Sequence, residues 1–307
     1  MINFFIKTYG CQANVADSQA ISNFLTDLGC RRVETEKWAD LILVNTCAIR
    51  AKAEQKFFSY LGSLANIKKA KPYLKVGIIG LGHLHPRLYM PLFAAVESTE
   101  VVAVAEAKAE LREAFCDDFG IAGYENAEAL LEAHKIDIAA IFLPHTECPA
   151  AAETIAKAGV HLMVEKPMAA SVAGAERILK AAAGNGVKLT TGYCWRLHPA
   201  AKRFKELVKS GGIGQVVGAE GRCAAGRLQR YLDGNAAWML ERARSGGGPM
   251  YNLGVHWIDL FRWMFEGEVV EVCGQNVKVN IEYDIEDNSF ALMRFGNGAI
   301  AALNISY

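Results

Sequence analysis

The sequence predicts an α/β protein: a doubly wound parallel sheet, preceded by a small α/β unit and followed by an incomplete α+β portion with a mainly antiparallel sheet. Three observations predict it. Paired glycines follow an apolar strand and precede a helical stretch at GIIGLGH (77–83); further short apolar runs alternate with helical stretches after it; and from about Gly212 the chain changes to glycine-rich loops and longer strands.

In chain order, NFFIKT is a short β run, and from Asp17 the residues Ile21, Leu25 and Leu28 follow helical spacing up to a stop at Gly29. Leu41 to Val44 is an apolar strand. Ala53, Phe57, Leu61 and Leu64 mark one helix face running toward Lys69, with lysines at the end that the helix dipole favours. Residues 1–73 thus read as a β-α-β-β-α unit. Over 74–193, VGIIG, VVAVAE, DIAAIFL, HLMVEKP and KLTTGY are strands with helices between them, the pattern of a parallel sheet covered on both faces. Over 194–307 the reading is one helix, Val255 to Phe265, and strands VVEVCGQNVKV, FALMRFG and AIAALNISY. The chain stops at Tyr307 inside a strand, so unpaired edges and poor solubility are expected.

The 307 residues carry 33 Lys plus Arg against 33 Asp plus Glu, so no net field points to nucleic acid or an anionic membrane. Every apolar run stops short of the roughly 18 residues of a membrane span, and MINFFIKTYG lacks signal-peptide organisation. A cytoplasmic location is expected. The eight cysteines include no CxxC pair, which argues against a disulfide framework or a structural zinc. His83, His85 and His145 lack ligand-type spacing with an acidic partner, and no metal site is expected.

Gly80 and Gly82 sit between strand and helix, and Glu106 ends the next strand about 26 residues on. Glycines allow a tight turn and close backbone approach, the helix N-terminus faces a pyrophosphate, and the carboxylate accepts from ribose hydroxyls, so the expectation is a Rossmann-type dinucleotide site. Its third glycine is replaced by His85. Glu106 favours NAD over NADP because a carboxylate repels a 2′-phosphate, while Lys108 leaves NADP open.

IFLPHTECP (141–149), VEKPMA (164–169), GYCWRLHP (192–199) and GGGPMYNLGVHWIDLFRW (246–263) follow in order. With the glycine turn they resemble the glucose-fructose oxidoreductase and inositol dehydrogenase family, often written Gfo/Idh/MocA, over about 74–307. The resemblance implies hydride transfer between a nicotinamide and a sugar, cyclitol or related polyol. Lys166 of Glu165-Lys166-Pro167 matches a lysine beside the nicotinamide and the reacting hydroxyl, His256 the proton acceptor, and Asp259 a carboxylate near the sugar. Asn252 stands where many members have aspartate. His83, Leu84, Leu143, Pro144, Trp195 and Arg196 are further candidate cofactor contacts, with Tyr193 a candidate substrate contact; Trp238 is held as a contact of either kind. The family also implies a homo-oligomer built through the last sheet, which the missing last quarter to third of the fold puts in doubt.

Oxidising a secondary alcohol requires a base for the hydroxyl proton, and imidazole, with a free pKa near 6.5, suits that role. Lys166 can donate to oxygen as negative charge develops. Asn252 can orient neighbours but cannot stabilise a cation by charge, so activity is expected to be slower or shifted to higher pH.

The opening segment resembles something else. KTYGCQANVADSQ, ADLILVNTCAIRAKAEQK and KPYLKVGIIG are similar to the N-terminal domain of the radical-SAM methylthiotransferases, where cysteines matching Cys11 and Cys47 hold a 4Fe-4S cluster with a third. This chain has Leu81 at the third place and lacks the radical-SAM CxxxCxxC. Two thiolates hold a cluster poorly, so Cys11 and Cys47 are read as vestigial ligands, with Cys30 as an outside substitute. The two resemblances meet at VGIIG, which as the first strand of a dinucleotide fold is central and cannot also close the N-terminal sheet. A truncated fusion is the expectation. Its alternatives are a cofactor-binding but silent protein and a methylthiotransferase remnant used only for binding.

Overall fold

The computed structural model describes residues 2–9, 12–46, 55–60 and 74–307, in two units, Met1–Pro72 and Tyr73–Tyr307. In the first, β1 (Asn3–Tyr9) lies between β2 (Arg31–Arg32) and β3 (Leu41–Thr46) in a three-stranded parallel sheet, with α1 (Gln12–Asp27) between β1 and β2 in sequence. Residues 55–60 form α2. On α1 the buried residues are Ser18 and Ser22; of the residues that set the helical spacing, Leu25 is half-buried, Ile21 is exposed, and Leu28, also exposed, lies just beyond the helix. Hydrogen bonds make this burial tolerable: the Ser18 hydroxyl meets Thr8 Oγ1 at 2.7 Å and accepts from Asn45 Nδ2 at 3.0 Å, and the Ser22 hydroxyl accepts from Arg32 Nη1 at 3.3 Å. Cys11, Cys47 and the helix positions expected at Ala53, Leu61, Leu64 and Lys69 lie outside the described residues.

The second unit opens with β4 (Leu74–Ile79), α3 (Pro86–Ala95), β5 (Thr99–Ala105), α4 (Ala109–Phe119), β6 (Ala122–Tyr124) and α5 (Ala127–Ala133). It continues with β7 (Ile138–Ile141), α6 (Cys148–Lys157), β8 (His161–Val164), α7 (Val172–Gly184) and β9 (Leu189–Thr191). Its six strands are all parallel in the order β6-β5-β4-β7-β8-β9. The shared seam therefore belongs here: β4 pairs on both sides, with β5 and β7. Val76, Ile78, Ala139, Ala140 and Ile141 are fully buried, as continuous apolar runs covered on both faces require. Local chemistry sets the helix starts. Asn126 Oδ1 accepts from Ala129 N at the head of α5, Ser171 Oγ accepts from Gly174 N at the head of α7, and Pro86 opens α3 where no donor is needed. β6 was not anticipated; its three residues, AGY, are too short to show a period.

Then come α8 (Pro199–Lys209), β10 (Gly218–Ala224), α9 (Gln229–Asp233), α10 (Arg242–Ser245) and α11 (Val255–Phe265), the last entered through a π-helical turn at Met250–Gly254. β11 (Val269–Val277), β12 (Asn288–Phe295) and β13 (Ile300–Ser306) complete a second sheet, ordered β10-β13-β12-β11. It is antiparallel except that β10 runs parallel to β13. β10 falls where only glycine-rich loops were read, because GAEGRCA has no apolar alternation. Its Gly221 is there for packing: a Cβ would lie 2.7 Å from the Trp257 ring. Leu260, Phe261, Met264 and Phe265 of α11 share a core with Met293, Phe295, Ala301, Leu303 and Ile305 of the sheet. Among the described residues no helix is long and apolar enough to cross a membrane.

Candidate active site

The turn after β4 needs glycine twice over. Gly80 has φ +88°, and a Cβ there would lie 2.8 Å from Leu143 Cδ2 and 3.2 Å from the Leu143 nitrogen. Gly82 gives its carbonyl to the Trp238 indole N–H at 2.5 Å. Glu106, at the end of β5, ties the turn together: Oε2 accepts from Leu81 N at 2.7 Å and Oε1 from Lys108 N at 2.9 Å. Each oxygen keeps acceptor capacity, so these bonds leave room for a ribose hydroxyl. Beside the turn, at the carboxyl ends of the strands, is a cavity of about 640 Å³ whose walls include Gly82, Glu106, Leu143, Pro144 and Trp238. A glycine cradle, a carboxylate with spare lone pairs and an apolar-walled cleft at the carboxyl ends of β4, β5 and β7, beside the point where the strand order reverses between β4 and β7, suit a dinucleotide. Leu84 does not line that cavity; it packs with Tyr231, Ala236 and Trp238.

The end of β8 delivers Glu165 and Lys166, both buried. Glu165 Oε1 accepts from Lys166 N at 2.9 Å, and Oε2 meets His85 Nδ1 at 3.0 Å. The sequence left His85 without an acidic partner, but the fold supplies one 80 residues away. Burial opposes ionisation of Glu165, yet the hydrogen bond and charge of His85 prevail and hold the carboxyl at about 2. His83 is buried beside it, its Nδ1 accepting from His85 N at 3.0 Å; burial, then His85, hold its pKa well below the usual value. His145 Nδ1 donates to the Ser245 carbonyl at 2.6 Å, and burial pushes this imidazole down to about 4.

Lys166 Nζ donates to the Asn252 carbonyl at 2.9 Å and to its Oδ1 at 3.1 Å, while burial lowers the ammonium's pKa. The Asn252 amide is oriented by its other end, where Nδ2 donates to Tyr231 Oη at 2.7 Å and Tyr307 Oη at 3.2 Å. One turn on, His256 lies flat on Trp195, ring centroids 4.7 Å apart, with Tyr193 edge-on at 6.2 Å. Its Nδ1 is buried with no hydrogen-bond partner among the described residues. Burial, then the Lys166 charge, push His256 down to about 4. The imidazole is thus neutral well below the ordinary histidine range.

Arg196 and Asp259 are engaged with each other through a two-pronged ion pair, one bond of which is 2.6 Å. Cofactor contact by Arg196 and substrate contact by Asp259 would both have to share that pair. Sequence reasoning missed Tyr231, Tyr307 and Arg230. No motif marks them; only the fold brings α9 and the end of β13 to Asn252. Among the described residues no cluster of His, Cys, Asp or Glu could hold a metal ion.

Comparison with known proteins follows the same division. Residues 74–193 match the oxidoreductase family with NAD-binding Rossmann fold, 201–307 the GFO/IDH/MocA C-terminal domain, and 3–83 the uncharacterized protein family UPF0004. The first and last overlap on the seam strand that the sheet assigns to the larger unit. The N-terminal segment is 51% identical over 80 residues to the tRNA-2-methylthio-N(6)-dimethylallyladenosine synthase of Desulfosudis oleivorans, and 49% to that of Methylacidiphilum infernorum. Those matches take in 26% of this chain and only 17% of either relative. Among solved structures, the WlbA dehydrogenase of Bordetella pertussis with NADH and UDP-GlcNAcA superposes at TM-score 0.69 and 24% identity, covering 76% of this chain and 71% of that one. The aldose-aldose oxidoreductase of Caulobacter crescentus with glycerol gives 0.67 and 27%, over 76% and 71%. The myo-inositol 2-dehydrogenase of Lactobacillus plantarum gives 0.67 and 21%, over 76% and 70%. Over residues 74–307 the chain belongs to the GFO/IDH/MocA oxidoreductase family, behind an N-terminal segment of the UPF0004 family.

Proposed function

We propose that the chain is an NAD-dependent dehydrogenase of a sugar, cyclitol or related polyol, with 74–193 binding the dinucleotide and 194–307 forming the substrate side. One observation carries the reading: a buried lysine held on neutral acceptors, within electrostatic reach of a buried imidazole whose Nδ1 is unpartnered. A dinucleotide held at the glycine turn by its pyrophosphate would supply a nicotinamide as hydride acceptor. Gly80 and Gly82 admit the pyrophosphate to the backbone, and Glu106 receives a ribose hydroxyl. Glu125 and Glu128 join Glu106 around the cavity, which favours NAD, while Lys108 and Arg244 line the same cavity and leave NADP for the titration to decide.

Lys166 spends two of its three N–H donors on Asn252 and keeps one for the substrate oxygen, where it stabilises developing negative charge. His256 takes the hydroxyl proton. Trp195 fixes the plane of its ring, and Tyr193 stands edge-on to it. A fluorescence titration with NADH and NADPH, repeated on Glu106→Ala, tests the cofactor part, and a polyol and sugar screen tests turnover. Saturable NADH binding weakened by Glu106→Ala is expected; a folded chain that binds neither nucleotide would reject the reading.

The N-terminal segment is assigned no cluster chemistry. Leu81, at the place of the third cysteine, is buried in the β4–α3 turn with its N–H bonded to Glu106.

A further inference from the structure

Resting on the dehydrogenase reading, we propose that the substrate is a hydroxy acid of the sugar series, and that Arg230 binds its carboxylate.

Arg230 stands at the end of a hydrogen-bonded chain leading to the reacting position. Its Nη2 donates to Tyr231 Oη at 2.7 Å, Tyr231 Oη accepts from Asn252 Nδ2 at 2.7 Å, and Asn252 Oδ1 accepts from Lys166 at 3.1 Å. The guanidinium also lies 4.7 Å from the Tyr231 ring centroid, which holds its plane. It is half-buried and its Nε is buried without a hydrogen-bond partner. No carboxylate pairs with it among the described residues.

Among the described residues the other half-buried arginines of this part, Arg196 and Arg244, have a carboxylate partner, as do several exposed ones, while the exposed Arg222 and Arg227 have no such ion pair. Arg196 meets Asp259, Arg242 meets Glu286, Arg244 meets Glu147 and Arg262 meets Glu268. A half-buried guanidinium left on one phenolic oxygen is poorly compensated, and the Lys166 ammonium, itself on neutral acceptors, adds a second positive charge nearby. A neutral polyol would leave Arg230 without an anion, whereas Lys166 already feels the Glu165 carboxylate. A carboxylate takes the planar donors of Arg230 two at a time and sets the adjacent carbinol toward Lys166. The class is therefore aldonic, uronic or short-chain hydroxy acid.

The test uses the full chain loaded with NADH and calorimetric titration of matched pairs: gluconate against sorbitol, glucuronate against glucose, tartrate against erythritol. At least one acid is expected to bind about tenfold more tightly than its neutral partner, with a preference that weakens as salt is added. Arg230→Gln should cut that preference to about threefold or less while NADH affinity holds within about twofold, and Arg230→Lys should keep part of it. Acids that never outbind their partners, including pairs in which neither member binds, overturn the proposal, as does an Arg230→Gln chain that keeps the preference. A folded chain that does not bind NADH overturns the dehydrogenase reading and this one with it; NADH binding without acid preference overturns this one alone.

Discussion

Lys166 Nζ reaches Asn252 twice, through the main-chain carbonyl at 2.9 Å and the side-chain Oδ1 at 3.1 Å, so an uncharged residue holds the buried ammonium in place. The arrangement fixes the direction of the remaining N–H, and Asn252 itself adds no negative charge to compete with an oxyanion. Lys166→Met should therefore lower kcat by about 10²-fold or more, since a preorganised donor to developing charge is lost. NADH affinity, measured by fluorescence, should change by less than about threefold, because the glycine turn and Glu106 are untouched.

Replacing Asn252 by aspartate puts a carboxylate beside Lys166 and near His256. Opposite charge favours the protonated forms, so both pKa values rise. In the native chain His256 is held down to about 4 and is neutral above it. The acid limb of kcat/KM should lie near that value, and in Asn252→Asp it should move up by about one unit. Superimposable profiles for the two chains would sever Asn252 from the base.

Three buried histidines make the fold acid-sensitive in a particular window. The His145 imidazole has a folded pKa of about 4, below the 6.5 of an ordinary histidine. The unfolded chain therefore takes up the proton first: stability is intact above about 6.5 and is lost as pH falls toward about 4. The His145 imidazole alone costs on the order of 2 kcal/mol at pH 5. Urea unfolding at pH 7 and pH 5 should show a drop in wild type that shrinks by roughly that amount in His145→Gln.

Gly80→Ala should fail locally. The left-handed backbone at φ +88° and a Cβ 2.8 Å from Leu143 Cδ2 act together, and the close Leu143 nitrogen is backbone that cannot swing away. A stability loss of about 1–3 kcal/mol is expected in urea melts, with NADH binding weakened by about tenfold or more. Native-like NADH affinity in this variant would show that the turn does not receive the dinucleotide.

Much of the fold could be read before the structure. Val255 to Phe265 was expected as a helix and is one to the residue, and VGIIG was assigned to the larger sheet where it now pairs on both sides. These are elements whose own pattern is long or whose turn chemistry is demanding. β6 and β10 escaped because three residues of AGY and the alternation-free GAEGRCA become strands only by borrowing partners, β5 and β13. On α1 the buried positions are Ser18, bonded to Thr8 and Asn45, and Ser22, bonded to Arg32, which apolar spacing does not mark.

Residue order alone carried the family of each segment, the parallel sheet and the glycine turn, because strand periodicity, positive-φ turns and short motifs are properties of neighbouring residues. It also put Glu165 beside Lys166 and Asn252 four positions before His256. The partners of those residues were decided in three dimensions. His85 meets Glu165 across 80 positions, Lys166 meets Asn252 across 86, and Tyr307 reaches Asn252 across 55. Protonation, charge compensation and donor direction depend on burial and on such distant contacts, which exist only once the sheets have closed around them.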